Sequence, residues 1–93
     1  MDIENNTNMI EAINEKVEVI LIFSLQPHPE TKIYKIRWRG KEYMITKLAY
    51  HHKVRDGRSL LHKFSVSSAN LDFRLNYDTE NLQWMLEEVS DGY

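Results

Sequence analysis

Residues 71–77 read Leu-Asp-Phe-Arg-Leu-Asn-Tyr, and this stretch decides the fold class because apolar and polar side chains alternate along its whole length. An alternation with a period of two is typical of a β-strand that buries one face and exposes the other. Turn-forming residues lie on both sides, at Ser68–Asn70 and Asp78–Asn81. The sequence therefore predicts short antiparallel strands joined by tight turns.

The same kind of pattern extends outward from this strand over most of the chain. Six stretches have it and are separated by turn signals such as Gly40 and Asp56-Gly57: residues 17–25, 33–39, 42–52, 63–67, 71–77 and 82–89. A three-residue step in the third stretch implies a bulge near Thr46–Lys47, and bulges let a small sheet curl. Closure would remove the exposed edges of a flat meander. The predicted fold is therefore mainly all-β, a six-stranded antiparallel meander curled into an SH3-like or similar small barrel.

The predicted core takes its residues from the apolar sides of the later strands: Tyr43, Phe64, Phe73, Trp84 and Leu86.

The N-terminal part of the chain has a different pattern. Residues 1–8 are polar and rich in Asn, so we expect them to be disordered. Residues 9–16 carry apolar side chains at helical spacing after an imperfect capping box, which predicts a helix of about two turns at most. This short N-terminal helix would cover the strand at residues 17–25, which is apolar on both faces. Residues 9–91 are expected to form a single small domain.

Composition excludes several classes of protein. The chain has 93 residues and no cysteine, so neither a disulfide framework nor a thiolate zinc site can stabilise it. Its longest apolar run, Val19–Phe23, is far shorter than the roughly 20 residues that a membrane helix needs. The acidic N-terminus also lacks the order of a secretory signal. We expect a cytoplasmic protein with no membrane contact and no cofactor.

Charge is distributed unevenly along the chain, although its net value is only −2. Residues 32–63 hold ten of the twelve Lys and Arg residues and only two acidic ones, a net charge of +8, whereas residues 1–31 and 64–93 each carry −5. We call this positive segment the basic stripe, and a surface of this kind can bind phosphates. Its candidate contact residues, with two ring side chains beside them, are Lys35, Arg37, Arg39, Lys41, Lys47, Tyr50, His51, Lys53, Arg55 and Arg58.

The basic stripe leaves three alternatives open. It could bind single- or double-stranded nucleic acid weakly and without regard to sequence. It could instead be neutralised within the chain by Glu87, Glu88, Asp72 and the acidic N-terminal segment, in exposed pairs worth roughly 0–1 kcal/mol each. The third alternative is a protein-interaction module that adds a partner strand to an exposed edge or docks a partner on its acidic ends.

Catalytic and metal-binding patterns are weak. There is no glycine-rich phosphate loop, and the serines lie on a solvent face with no strand-to-helix elbow. His51, His52 and His62 could approach one another across a hairpin, but His51 and His52 point to opposite faces of their strand. We therefore expect a non-enzymatic binding module with no catalytic residues and no metal site.

Two short motifs resemble those of a known family. They are Trp38-Arg39-Gly40-Lys41-Glu42-Tyr43 and Trp84-Met85-Leu86-Glu87-Glu88-Val89. They resemble the Trp-Arg-Gly-x-x-Tyr hairpin and the closing Trp-x-Leu-Glu-x-Val strand of a family of uncharacterised small bacterial β domains, over residues 33–91 at most. Some members occur at the end of Y-family translesion DNA polymerases or are encoded beside them. The resemblance implies a small β fold and a nucleic-acid setting, without an activity.

Overall fold

The computed structural model describes residues 10–91, and all of its regular structure in this range is β-strand. The described residues contain no helix that could cross a membrane. The strands are β1 (Ile10–Lys16), β2 (Glu18–Ser24), β3 (Glu30–Trp38), β4 (Lys41–Met44), β5 (Lys47–Asp56), β6 (Ser59–Ser68), β7 (Leu71–Asp78) and β8 (Gln83–Asp91). The prediction of a mainly β, antiparallel fold is confirmed.

The strands form two sheets. Sheet A has the order β1-β8-β7-β6-β5 and sheet B the order β2-β3-β4, and every pair of neighbours is antiparallel. The chain passes between the sheets at two corners, where Val17 N donates to the Trp84 carbonyl at 3.1 Å and Thr46 N donates to the Ser67 carbonyl at 2.8 Å. The described residues thus form two sheets and not the closed six-stranded barrel that we predicted. The stretch at residues 42–52 is divided between the sheets, because the chain changes sheet near the predicted bulge.

The predicted N-terminal helix is wrong. Residues 10–16 form β1, which pairs with β8 at one edge of sheet A. The register shifts between Ala12 and Glu15, and Asn14 has a φ of 54°, as expected at a β-bulge. The extra residue breaks the period of two and leaves apolar side chains at a spacing that imitates a helix. The predicted disorder of residues 1–8 falls outside the residues that the structure describes.

The core lies between the two sheets. Its fully buried residues are Ile36, Val66, Phe73, Leu75 and Leu86. Ile36 comes from sheet B and the other four from sheet A. Tyr43, Phe64 and Trp84 pack against this cluster and are partly buried, so the five predicted core residues do share one core.

Two tight hairpins have the glycines that the sequence indicated. Between β3 and β4, Arg39 and Gly40 have φ values of 52° and 79°, the pair of positive angles that a two-residue type I′ turn requires. Gly57, between β5 and β6, has a φ of 63°. These turns set the registers that bring distant charged residues together.

The C-terminal half of β2 and Leu25, which follows it, are not covered as we predicted. Leu21, Ile22, Phe23 and Leu25 are 45%, 44%, 63% and 62% exposed. The predicted helix does not cover this strand because residues 10–16 form a strand of sheet A instead of packing on sheet B. Among residues 10–91, β2 is thus an edge strand of sheet B, with apolar side chains on both faces.

Replacement of Phe73 by Ala tests the shared core. Phe73 is 0% exposed, and removing a buried aromatic side chain typically costs about 3–5 kcal/mol of unfolding free energy. Urea unfolding of Phe73→Ala should show a loss of this size. Leu48→Ala, at a residue 57% exposed, is the control and should lose less than about 1 kcal/mol. Equal losses in the two variants would contradict the core described above.

Candidate nucleic-acid interface

The first part of the basic stripe is neutralised by acidic neighbours on sheet B. Lys35 Nζ donates to Glu42 Oε1 at 2.9 Å, and Arg37 Nε donates to Glu42 Oε2 at 2.6 Å. Arg37 also reaches Glu18 at 3.5 Å on the other neighbouring strand. The hydrogen bonds from Lys35 and then Arg37 hold the pKa of Glu42 below its ordinary value. A phosphate would have to compete with these carboxylates.

Arg39 is occupied in the same way at the β3–β4 turn. Its Nε and Nη2 atoms donate to the two carboxylate oxygens of Glu15 at 3.1 and 2.5 Å. Its guanidinium lies 4.6 Å from the centre of the Trp38 ring, and Trp38 Nε1 donates to Glu15 Oε1 at 2.9 Å. The hydrogen bond from Arg39, followed by that from Trp38, lowers the pKa of Glu15. Three of the predicted contact residues therefore have partners within the chain.

The partners agree in part with those that the sequence suggested. Glu15 and Glu18 belong to the acidic N-terminal segment, whereas Glu42 was not predicted. Glu87 pairs with Lys63, the last residue of the basic stripe, at 2.6 Å. Glu88 lies 3.9 Å from Arg74, and Asp72 accepts a hydrogen bond from Ser67 Oγ at 2.7 Å. These contacts lie on sheet A, whereas Lys35, Arg37 and Arg39 project from sheet B and its turn. Internal neutralisation is thus confirmed for part of the basic stripe, mainly through Glu15, Glu18 and Glu42.

The remaining cations are concentrated on one hairpin. Within residues 10–91, no carboxylate lies at ion-pair distance from these predicted contact residues: Lys41, Lys47, Lys53, Arg55 and Arg58. Lys53, Arg55 and Arg58 belong to the β5–β6 hairpin, whereas Lys41 and Lys47 begin β4 and β5. Lys53 and Arg55 are two residues apart on a strand and so share a face.

That face is the inner face of sheet A, as its register shows. Two cross-strand rows run from β5 to β8: His51–Phe64–Leu75–Leu86 and Lys53–His62–Tyr77–Trp84. Leu75 and Leu86 are 0% exposed and belong to the core, so both rows face inward. The second row lies one step nearer the hairpin, and its rings are only partly buried. The inner face therefore changes from buried leucines to rings and then to cations.

The rings of these rows pack against one another. His51 lies 4.5 Å from Phe64 with a 7° angle between the planes, and Phe64 lies 5.4 Å from Trp84. Tyr77 lies 4.7 Å from Trp84. Ring centres of His51 and His62 are 5.2 Å apart. We call these five residues, His51, His62, Phe64, Tyr77 and Trp84, the aromatic platform.

The hairpin is fixed next to the aromatic platform by the β7–β8 turn. Thr79 donates to the Leu60 carbonyl through both its backbone N, at 3.2 Å, and its Oγ1, at 2.7 Å. Ser59 Oγ donates to Glu80 Oε1 at 2.9 Å, so this carboxylate is bound to a hydroxyl. These contacts hold the base of the hairpin against sheet A.

A histidine pair lies at the edge of the aromatic platform. His51 Nε2 and His62 Nδ1 are 3.0 Å apart, so one imidazole donates a hydrogen bond to the other. Burial lowers the pKa of His51, and the charges of His62, Lys53 and His52 act in the same direction. The described residues include no group of three or more His, Cys, Asp or Glu side chains that could hold a metal ion.

Of the two ring residues predicted to join the basic stripe, the structure brings only His51 to the platform. Tyr50 is 57% exposed and packs against His52 with the rings tilted by 38° and 4.9 Å between ring centres, on the opposite face of β5. Sequence analysis missed His62, Phe64, Tyr77 and Trp84 as surface rings because alternation shows which face a residue occupies, but not where the covering sheet ends. The sequence signal available was Gly57, because the two-residue turn Gly57-Arg58 pairs Asp56 with Ser59 and so opposes Lys53 to His62.

The lowered pKa of His51 predicts a pH dependence of stability. The unfolded chain, with an ordinary value of 6.5, binds a proton more readily than the folded chain, so stability is complete above pH 6.5 and falls as the pH drops below it. Between about pH 7.5 and pH 5, the melting temperature of His51→Gln should therefore decrease by less than that of the unmodified protein. An identical pH response in the two proteins would show that His51 does not contribute.

Comparisons with known proteins identify no relative of this chain. No family model, no curated protein and no solved structure matches the chain. The resemblance to the small bacterial β domains therefore stays a prediction from two short motifs, and the candidate interface rests on its own geometry.

Proposed function

We propose that this domain is a non-enzymatic module that binds single-stranded nucleic acid at the aromatic platform, weakly and without sequence preference. The observation that carries the proposal is the row Lys53–His62–Tyr77–Trp84, which places a cation and three rings side by side on one face. Lys53, Arg55 and Arg58 would contact phosphates, and the rings would stack on bases. A cytoplasmic location is part of the proposal and is supported by the absence of cysteine from the chain.

The rings are suited to stacking because they are held in place and partly exposed. His62, Tyr77 and Trp84 contact one another or Phe64, so little side-chain freedom remains to be lost when a base stacks on them. Stacking of a base on an aromatic side chain contributes about 1–3 kcal/mol and does not depend strongly on which base it is. This supports binding without sequence preference.

Space for a bound strand is present beside the aromatic platform. Trp84 also borders an open groove of about 490 Å³ at the corner between β1 and β2, and Lys16, Glu18 and Arg37 line the same groove. A base that stacks on Trp84 could enter this groove. Single strands are favoured over duplex because stacking on protein rings requires bases that are free of their own stack.

A protein-interaction module is the second candidate, and the exposed apolar side chains of β2 favour it. The two candidates use different surfaces, since β2 belongs to sheet B and the aromatic platform to sheet A. The resemblance to domains associated with translesion polymerases agrees with the nucleic-acid proposal, although it assigns no activity.

A salt titration tests the proposed phosphate contacts. Each phosphate contact with a single strand contributes about −0.7 to the slope of log binding constant against log salt concentration. The double variant Lys53→Gln/Arg55→Gln should therefore flatten the slope by about 1.4, measured by fluorescence anisotropy with a labelled oligothymidylate. The unmodified protein should bind this single strand more tightly than a duplex at the same salt concentration.

The matched control is Lys35→Gln/Arg39→Gln, which removes the same number of positive charges from residues that are already paired with Glu42 and Glu15 and do not line the groove. This control should change the slope by much less than the hairpin variant. Equal flattening by both variants would mean that binding depends on overall charge and not on the hairpin. Absence of binding by the unmodified protein at low salt would rule out the proposed function.

A further inference from the structure

The outer edge of β2 is the most exposed apolar segment of sheet B. We propose that β2 pairs antiparallel with β2 of a second copy of this chain, about a two-fold axis at Ile22. The two copies of sheet B would then join edge to edge through backbone hydrogen bonds. This inference concerns a different surface from the aromatic platform and does not depend on the proposed function.

β2 lacks the features that usually protect an edge strand. Natural edges carry lysines, prolines or inward-pointing charges that prevent pairing with another chain. Residues 19–23 are Val-Ile-Leu-Ile-Phe, with neither charge nor proline. Within the described residues, β2 pairs on one side only, with β3.

Both faces of the strand would gain from pairing. Leu21 lies opposite Ile33 in the β2–β3 register, and Ile22 lies opposite Lys32 on the other face. Leu21, Ile22 and Phe23 are 45%, 44% and 63% exposed, so solvent reaches both faces. A partner strand would cover apolar surface on both faces of the sheet.

The apolar pattern of β2 complements itself when the strand is reversed. A two-fold axis at Ile22 places Leu21 of each copy opposite Phe23 of the other. The next pair on the same face is Val19 opposite Leu25. An antiparallel pair of identical strands is a closed, isologous contact, so it yields a dimer and not an open chain of copies. This complementarity favours a second copy over an unrelated strand.

The charges agree with this arrangement. Glu18 is the one charged residue of β2, and the two-fold axis places it beyond the end of the other copy's β2, at the level of the uncharged Gln26. Like charges are therefore not opposed across the new pair. The opposite edge of sheet B is β4, which is only four residues long and includes Lys41 and Glu42. β2 is thus the better edge for self-association.

Engineered cysteines test the pairing directly, because the readout is the rate of disulfide formation and not the stability of the protein. The chain has no cysteine, so a single substitution introduces a single thiol. In Ile22→Cys the two Cα atoms would lie about 4.5–5.5 Å apart across the axis, within the range that a disulfide accommodates. Met44→Cys is the control, because Met44 is 46% exposed against 44% for Ile22 and lies on the opposite edge strand. Oxidation should convert Ile22→Cys to a covalent dimer at least about tenfold faster than Met44→Cys.

Sedimentation equilibrium of the unmodified protein over a dilution series should show a reversible monomer–dimer equilibrium. Ile22→Lys should weaken dimerisation at least about tenfold, and Met44→Lys should leave it nearly unchanged. A strictly monomeric protein whose two cysteine variants cross-link equally slowly would overturn the proposal. So would concentration-independent protection of the β2 amides that disappears when residues 1–9 are removed, because the occupant would then be the chain's own N-terminal segment.

Discussion

The structure depends on the contact between its two unequal sheets. Among the described residues, Ile36 is the one fully buried side chain that sheet B supplies, and it packs in a cluster with Val66, Phe73, Leu75 and Leu86 of sheet A. Burial of such side chains contributes about 1.5–3 kcal/mol each, so this small cluster holds the sheets together. Sheet B has one strand of only four residues, whereas two strands of sheet A have ten. The inner face of sheet A therefore extends past its cover, and the aromatic platform lies on this extension.

The same architecture separates the positive charges of the chain into two groups. Those on sheet B meet carboxylates on neighbouring strands, because the β3–β4 hairpin opposes Arg37 to Glu42 and the β2–β3 pair opposes it to Glu18. Those on the β5–β6 hairpin extend beyond the core beside the rings of sheet A. A segment that is uniformly basic in sequence thus becomes a neutralised surface and a charged hairpin. Among the described residues, this hairpin combines rings with cations that have no carboxylate at ion-pair distance, whereas Arg39 beside the Trp38 ring is paired with Glu15, which is why the proposed function is assigned to the hairpin.

Much of the fold could be predicted from residue patterns, and the errors have physical causes. Alternation in residues 71–77 identified β7, and Gly40 and Gly57 marked hairpins that the structure contains. The β1 bulge imitated helical spacing, so the N-terminal strand was predicted as a helix. The change of sheet near Thr46 was predicted as a bulge within one strand. The aromatic platform could not be predicted, because it depends on cross-strand register and on where sheet B stops, and neither is a local property of the sequence.

The central claim is that nucleic acid meets this protein on the exposed end of the inner face of sheet A. The most direct measurement is an NMR titration of the isotopically labelled protein with a short oligothymidylate, with amide and indole shifts followed residue by residue. We expect the largest changes at Lys53, Arg55, His62, Tyr77 and the Trp84 indole, with little change at Lys35, Arg39 or the Trp38 indole. Shifts centred on Lys35 and Arg39, or no shifts at all at low salt, would contradict the claim.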